Sequence, residues 1–352
     1  MAKVKAPKKI FLDANVVIGM GKPPGGPLMT RLVELVKARF IEIITTDLSI
    51  TEVAKKHAEN DYEVVKEIGR PHFRNIVSNI FHVELPNKSK PEIRLDVLKS
   101  YQAATERMFE TLDADVLKID LVKPSSVFQA YSEKSGLFSG EAKKDQFPDA
   151  FILECLKAEA TEDDPITIIS DDSDFDGVDE REEFIELLKS IPELFTDLGL
   201  EVEPPEIESF FEENKDRLIE LIDKELSDTG LMVSDVEDAD IEESTVTDVV
   251  IEDFAAFAPL RKGESVVVVG AAIVTATVSF SHPDWDMAMY DSEDKVLIPF
   301  DTVSGEKDVE LEVEFSMSLL TDDDGDIEQI EEFRFRKDNF LSVELRPSED
   351  FR

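Results

Sequence analysis

From Asp308 to Met317 every second residue is apolar. Val309, Leu311, Val313, Phe315 and Met317 alternate with Asp308, Glu310, Glu312, Glu314 and Ser316. A two-residue period sustained over ten positions specifies a strand with one buried and one solvated face. Phe333 and Phe335 alternate with Glu332, Arg334 and Arg336 in the same way, and residues 266–280 are rich in strand formers. The chain from about residue 246 onward is therefore expected to be an antiparallel all-β domain, a sandwich or barrel, with an acidic outer face.

The first 200 residues follow a different pattern. Short β-branched runs at 8–13, 41–46, 116–119 and 166–170 alternate with stretches of helical spacing. Leu28, Leu32, Leu35 and Val36 mark one helix. A long helix is expected from Ser49 to Glu67, and another segment from Pro71 puts Phe73, Ile76, Val77 and Ile80 on one face. Residues 91–112, 124–135 and 184–189 also read as helices, and 147–160 is apolar nearly all round, as a well-buried helix should be. Strands alternating with helices imply an α/β domain with a central parallel sheet. Between the two patterns, residues 205–245 read as a polar helix and an acidic linker. The expected division is 1–204, 205–245 and 246–352.

The formal net charge of −42, taken alone, argues against a nucleic-acid ligand. Its distribution changes that reading, because residues 1–160 hold 24 Lys+Arg against 23 Asp+Glu, whereas residues 161–352 hold 14 against 57. The acidity belongs to one part of the molecule. No apolar run of the length of a membrane span occurs, and the basic first residues lead into a strand rather than a signal-type apolar stretch. The single cysteine, Cys155, excludes an internal disulfide and points to a reducing cytoplasm.

Four carboxylates stand at the ends of apolar elements. Asp13 closes the first strand, Glu52 and Asp149 open helices, and Asp172 follows a later strand. Each has an ordinary explanation: a turn residue at Asp13, a capping box from Ser49 to Glu52, a helix-dipole partner after Pro148, and a loop residue at Asp172. Parallel sheets gather strand ends and helix starts along one edge, where such folds bind ligands. Carboxylates gathered there repel one another unless a divalent cation lies among them.

In this order the segments resemble a PIN-domain nuclease, an enlarged bacterial-type member with an extra C-terminal β domain. The resemblance rests on Phe-Leu-Asp13-Ala-Asn15-Val-Val-Ile, Ser49-Ile-Thr-Glu52-Val, Pro148-Asp149-Ala-Phe-Ile and Ile-Ile-Ser170-Asp171-Asp172-Ser-Asp174-Phe175, and covers roughly residues 8–200. It implies a PIN-like α/β/α sandwich and a carboxylate site for Mg²⁺ or Mn²⁺. The implied activity is metal-dependent cleavage of RNA, by an endoribonuclease in a toxin or phage-defence setting. The implied catalytic residues are Asp13, Glu52, Asp149 and Asp172. The metal ligands would be Asp13, Asp149, Asp172 and Asp174, with Asn15 and Ser170 orienting them. Substrate contact needs positive charge, and Lys143 and Lys144, just before the Asp149 helix, are the best candidates; Lys8, Lys9, Lys22, Arg70 and Arg74 are further ones. The acidic β domain would recruit a protein partner or mediate self-association.

Two other classes compete. A catalytically silent PIN-like module would bind or regulate without turnover. A calcium-responsive adaptor would use residues 172–183, which match the EF-hand loop pattern D-x-D-x-D-G-x5-E letter for letter. A strand-like entry and Asp179 at an ordinarily apolar position count against that loop. A phosphatase with an Asp-x-Asp motif is disfavoured by Asn15.

Overall fold

The computed structural model describes residues 6–23, 25–139, 146–202, 207–261, 264–285, 287–291, 296–299, 301–322, 326–336 and 340–346. The chain forms two compact units, Met1–Leu200 and Glu201–Arg352.

The first unit is built on five parallel strands: β1 (Lys8–Leu12), β2 (Ile41–Thr46), β3 (Asp115–Leu117), β4 (Ile166–Ile169) and β5 (Ile185–Leu188), in the order β3-β2-β1-β4-β5. A parallel sheet is buried on both faces, which is why its strands are runs of Ile, Leu and Phe rather than alternating patterns. Phe11, Ile44 and Ile168 point to one side, where they pack with Val127, Ile152 and Leu156. Ile10, Leu12, Ile43 and Ile169 occupy the other pleat and are equally buried. The helices are α1 (Ala14–Gly19), α2 (Pro27–Lys37), α3 (Asp47–Val65), α4 (Pro71–Phe81), α5 (Lys90–Thr111), α6 (Pro124–Glu133), α7 (Phe147–Glu159), α8 (Val178–Arg181) and α9 (Ile191–Asp197).

The expected α/β architecture with a central parallel sheet is what the chain forms. Residues 184–189, expected as a helix, instead form edge strand β5. Four residues between turns are too few to display a period, and pairing with β4 decides the outcome. The inserted region between β2 and β3 is mostly an antiparallel helix pair. His57 stacks on Tyr101 with ring centroids 5.5 Å apart, the Tyr101 hydroxyl donates to Asp61 at 2.6 Å, and Arg94 lies over the Tyr62 ring at 5.9 Å.

The second unit is a five-stranded antiparallel sheet. Its strands are β6 (Glu201–Val202), β8 (Asp240–Phe257), β9 (Val266–Pro283), β12 (Thr302–Thr321) and β13 (Ile327–Phe335), in the order β13-β12-β9-β8-β6. A small antiparallel pair, β10 (Met289–Asp291) and β11 (Val296–Ile298), lies between β9 and β12 in sequence, and β7 (Leu231–Val233) pairs in parallel with β14 (Leu341–Val343). Gly270 in β9 sits where a Cβ would fall 2.2 Å from the Asp253 carbonyl oxygen, so the bulged β8 needs a glycine opposite it.

The alternation along β12 is realised: Val309, Leu311, Val313, Phe315 and Met317 are buried, while Glu310, Glu312 and Glu314 are exposed. Two features differ from expectation. Among the described residues the sheet is open, neither a two-sheet sandwich nor a closed barrel. Helices α10 (Ile207–Glu213) and α11 (Lys215–Thr229) cover its inner face with Phe211, Leu218, Ile222 and Leu226. The 227–245 segment is also structured, containing the end of α11, β7 and the start of β8. Asp240, Glu242 and Glu243 are strand positions open to water, and Asp235 accepts from the Leu345 and Arg346 backbone N–H groups.

Candidate functional site

The chain leaves β1 towards β2 and β3 on one side, and later occupies β4 and β5 on the other. The carboxyl ends of β1 and β4 therefore border the point where strand order reverses, the usual ligand crevice of an open parallel sheet. Asp13 follows β1, and its backbone N–H donates to the Ile169 carbonyl at 3.0 Å. This places it beside Ser170, which follows β4.

The two strand ends are joined by side chains. Ser170 Oγ donates to Asp13 Oδ2 at 2.7 Å and accepts from the Asp172 backbone N–H at 3.1 Å. Asp13 Oδ1 accepts from the Ala14 N–H at 2.7 Å, so both oxygens of this buried carboxyl are fixed. Asp172 Oδ1 accepts from the Asp174 N–H at 2.8 Å, and Asn15 Nδ2 donates to Asp172 Oδ2 at 3.5 Å.

Glu52 comes from α3. The capping box from Ser49 to Glu52, the ordinary alternative to a functional Glu52, does not form: Thr46 is the N-cap, and its Oγ1 accepts from the Ser49 N–H at 3.0 Å. The helix thus starts two residues earlier than expected, and Glu52 lies in its second turn, free of any capping duty. Thr46 and Ser49 support the helix that carries Glu52, a role visible beforehand only as a run of hydroxyl residues before an apolar pattern. Asp149 lies in the first turn of α7, after Pro148. Gln146, at the N-cap of that helix, is buried and was not anticipated.

Electrostatics show which of these groups converge. Burial pushes the Asp149 carboxyl up to about 7, with the charges of Asp13, Glu52, Asp172 and Asp174 adding to the effect. Burial likewise raises Asp13 to about 6; its hydrogen bonds from Ser170 and Ala14 oppose the shift, while Glu52 and Asp172 reinforce it. Glu52 is raised by burial and by Asp172, against the pull of Lys55. A carboxylate at a helix N-terminus serving only the dipole would be lowered instead.

The acidic cluster after β4 divides in two. Asp172 and Asp174 are half-buried and act on Asp149, whereas Asp171 and Asp176 are exposed, and Asp176 pairs with Lys189. The 172–183 segment does not have the frame of a calcium loop. Strand β4 enters it, a 3₁₀ turn at Ser173–Phe175 and the single turn α8 occupy it, and Phe175 and Val178 are buried in the core.

Among the described residues, no three Asp, Glu, His or Cys side chains are gathered as a ready-made set of direct ligands to one ion. The donor chemistry nevertheless suits a hard divalent cation, since every group in the cluster is an oxygen donor. Mg²⁺ takes one or two carboxylates directly and reaches others through its retained waters.

Lys143 and Lys144 lie outside the described residues. Lys8 and Lys9 stand at the amino end of β1, roughly 15 Å along the strand from Asp13. There they pair with Glu186, Asp197 and Asp164, so they do not flank the site. Lys22 pairs with Asp61, and Arg74 is spent on structural contacts near α4.

An open parallel sheet with carboxyls converging at its switch point defines an α/β unit of the kind that binds ligands in that crevice. Residues 10–175 match the family model of the PIN domain, and the first unit is a PIN domain. Searches of curated proteins and of solved structures returned no match. PIN domains are generally nucleases, acting on nucleic acids and typically using divalent metals. No helix among the described residues is long and apolar enough to cross a membrane.

Proposed function

We propose that this chain is a metal-dependent endoribonuclease. The observation that carries the reading is the Asp149 carboxyl, held near neutrality by burial and by four other carboxyls converging on the switch point of a PIN domain. Asp13, Asp149 and Asp172 would hold the metal, one or two of them directly and the rest through its retained waters, with Asp174 the fourth. Bound Mg²⁺ or Mn²⁺ supplies an activated water and charge to stabilise the phosphate oxygens. Glu52 either joins the ligands or accepts the proton of the attacking water, a task suited to a carboxyl raised above its ordinary range. Ser170 fixes Asp13, and Asn15 steadies Asp172. Lys143 and Lys144 would contact RNA phosphates.

The outer face of the β unit suits a basic protein partner better than a copy of itself, because identical acidic faces repel. The buried Cys155 agrees with a reducing cytoplasm. In a toxin or phage-defence role, expression of the wild type arrests growth and expression of Asp149→Asn does not.

The test is incubation with a panel of RNAs and single-stranded DNAs, with Mn²⁺ or EDTA. Mn²⁺-dependent RNA cleavage lost in Asp149→Asn is expected. Cleavage in EDTA, or full activity in that variant, overturns the reading. No cleavage, together with Mn²⁺-induced stabilisation, identifies a silent binding module instead.

A further inference from the structure

The antiparallel sheet of the second unit treats its free edges differently. Strand β8 meets β6 only at Ala256 and Phe257, so the rest of its outer side has no strand beside it among the described residues. That side is interrupted by register shifts after Ile241, Val246 and Ile251, and Asp223 Oδ1 of α11 accepts from the Val246 N–H at 2.8 Å. The outer side of β13 ends at Glu225, whose Oε1 accepts from the Phe335 N–H at 3.2 Å. Bulges and covering elements are usual ways of closing an edge to further pairing. Strand β12 has neither along its first half. Its register with β9 runs from Thr302 to Leu319 without a shift, and β13 pairs with it only from Phe315 onward.

The Arg336 N–H donates to the Glu314 carbonyl at 2.8 Å, so the backbone of Glu314 faces the β13 side. The antiparallel ladder turns Ser304, Glu306, Asp308, Glu310 and Glu312 the same way. Their N–H and C=O groups meet no further strand among the described residues. The side chains of these residues are exposed on the solvated face of the sheet, while Val309, Leu311 and Val313 turn inward and are buried. An edge of this length, with outward donors and acceptors in regular order, is a template for an added strand.

We propose that the edge of β12 from Ser304 to Glu312 is a strand-addition site. Its occupant is an extended segment of a partner protein in which Lys or Arg alternates with β-branched residues. The proposal rests on the basic partner put forward above and supplies its place and backbone form. Charge selects the occupant. A strand added here sets its outward side chains beside Glu306, Asp308, Glu310 and Glu312, where opposite charges pair and like charges repel. Lys307, the one cation in this stretch, does not neutralise the row, because it turns inward and its Nζ donates to the Glu344 and Leu345 carbonyls at 3.0 and 3.1 Å. Lys or Arg is thus favoured at every second position of the occupant. The side chains between them fall beside Val309 and Leu311 at the margin of the core, which favours Val, Ile or Thr. The acidic row also closes the edge to a second copy of this chain, since edge-to-edge pairing would set the two rows against each other.

Fluorescence anisotropy on the full chain tests the proposal with a labelled peptide, Thr-Lys-Val-Lys-Val-Lys-Val-Thr. The peptide is expected to bind, and to bind more weakly as salt rises. The same peptide with a backbone N-methyl group on each lysine keeps its charge but cannot donate to the edge, and is expected to bind at least about 10-fold more weakly. Equal binding of the two overturns strand addition while leaving a basic ligand on the acidic face. Binding of neither at about 1 mM, the weak end of measurable affinity, overturns both readings. Glu310→Pro removes an outward N–H and no bond to β9. Its melting temperature by circular dichroism is expected to stay within a few degrees of wild type while binding falls about 10-fold. Glu310→Gln keeps that N–H and is expected to lose no more than about three-fold. Wild-type binding by Glu310→Pro overturns the proposal. So does hydrogen-exchange protection that the peptide confers on β8 and not on residues 304–312.

Discussion

The two units use the same functional group in opposite ways. In the first, a few carboxyls are drawn together at the ends of β1 and β4 and at the starts of α3 and α7. Burial and mutual repulsion raise Asp13 to about 6 and Asp149 to about 7. In the second, Glu310, Glu312 and Glu314 stand in a row along β12, exposed and about 7 Å apart, where water screens each from the next. The difference lies in burial, not in the number of charges. An unfavourable electrostatic arrangement maintained by the fold marks the smaller acidic set as the candidate reactive one.

The largest expected effect is on cleavage. Asp13→Asn and Asp149→Asn should each lower Mn²⁺-dependent RNA cleavage by roughly 10³-fold or more. Glu310→Gln combined with Glu312→Gln should leave the rate within about two-fold. Equal losses in both sets, measured on labelled RNA, would erase the distinction between the units.

The next effect is on stability without metal. The Asp149 carboxyl titrates near 4 in the unfolded chain and at about 7 in the folded one, so between those values the folded state holds the extra proton. Its contribution to stability is full below about pH 4, declines as pH rises to about 7, and is level above. Asp13 does the same between about 4 and 6. Asp149→Asn removes the first decline, so at pH 8 in EDTA calorimetry should show a melting temperature roughly 5 °C above wild type, and near pH 4 no gain.

Metal addition should reverse that order. Mn²⁺ is expected to stabilise the wild type at pH 8 by a few degrees, and less at pH 5.5, because the carboxyls must release protons to bind it. Asp149→Asn should respond little at either pH. Wild-type stabilisation that is independent of pH would place the bound ion elsewhere.

The smallest effects belong to the supporting residues. Ser170→Ala leaves Asp13 Oδ2 without its donor and should cost about 10-fold in rate while shifting the pH profile upward. Asn15→Ala breaks only a 3.5 Å contact and should cost about two-fold.

Much of this was legible in the residues. Element type followed from apolar period wherever a run was long enough, as in β12 and α2. It failed at residues 184–189, where the four residues of β5 show no period and a neighbouring strand decides. The ordered carboxylates Asp13, Glu52, Asp149 and Asp172 could be picked out because each borders an apolar run. Lys8 and Lys9 border the same run as Asp13 but open it, so chain order already sets them at its other end, and the structure adds their pairing with Glu186, Asp197 and Asp164.

The sequence by itself determined which faces are apolar, where the acidity is concentrated, and the order of elements along the chain, because these depend on residue type and spacing. Only the tertiary structure decided which carboxyls share one low-dielectric crevice, that Thr46 rather than Ser49 caps the Glu52 helix, and that the described residues leave the apolar side of α4 exposed. Burial and electrostatic coupling are set by segments far apart in the chain, such as residues 13, 52, 149 and 172. A local pattern can nominate such residues, but only the folded chain fixes what surrounds them.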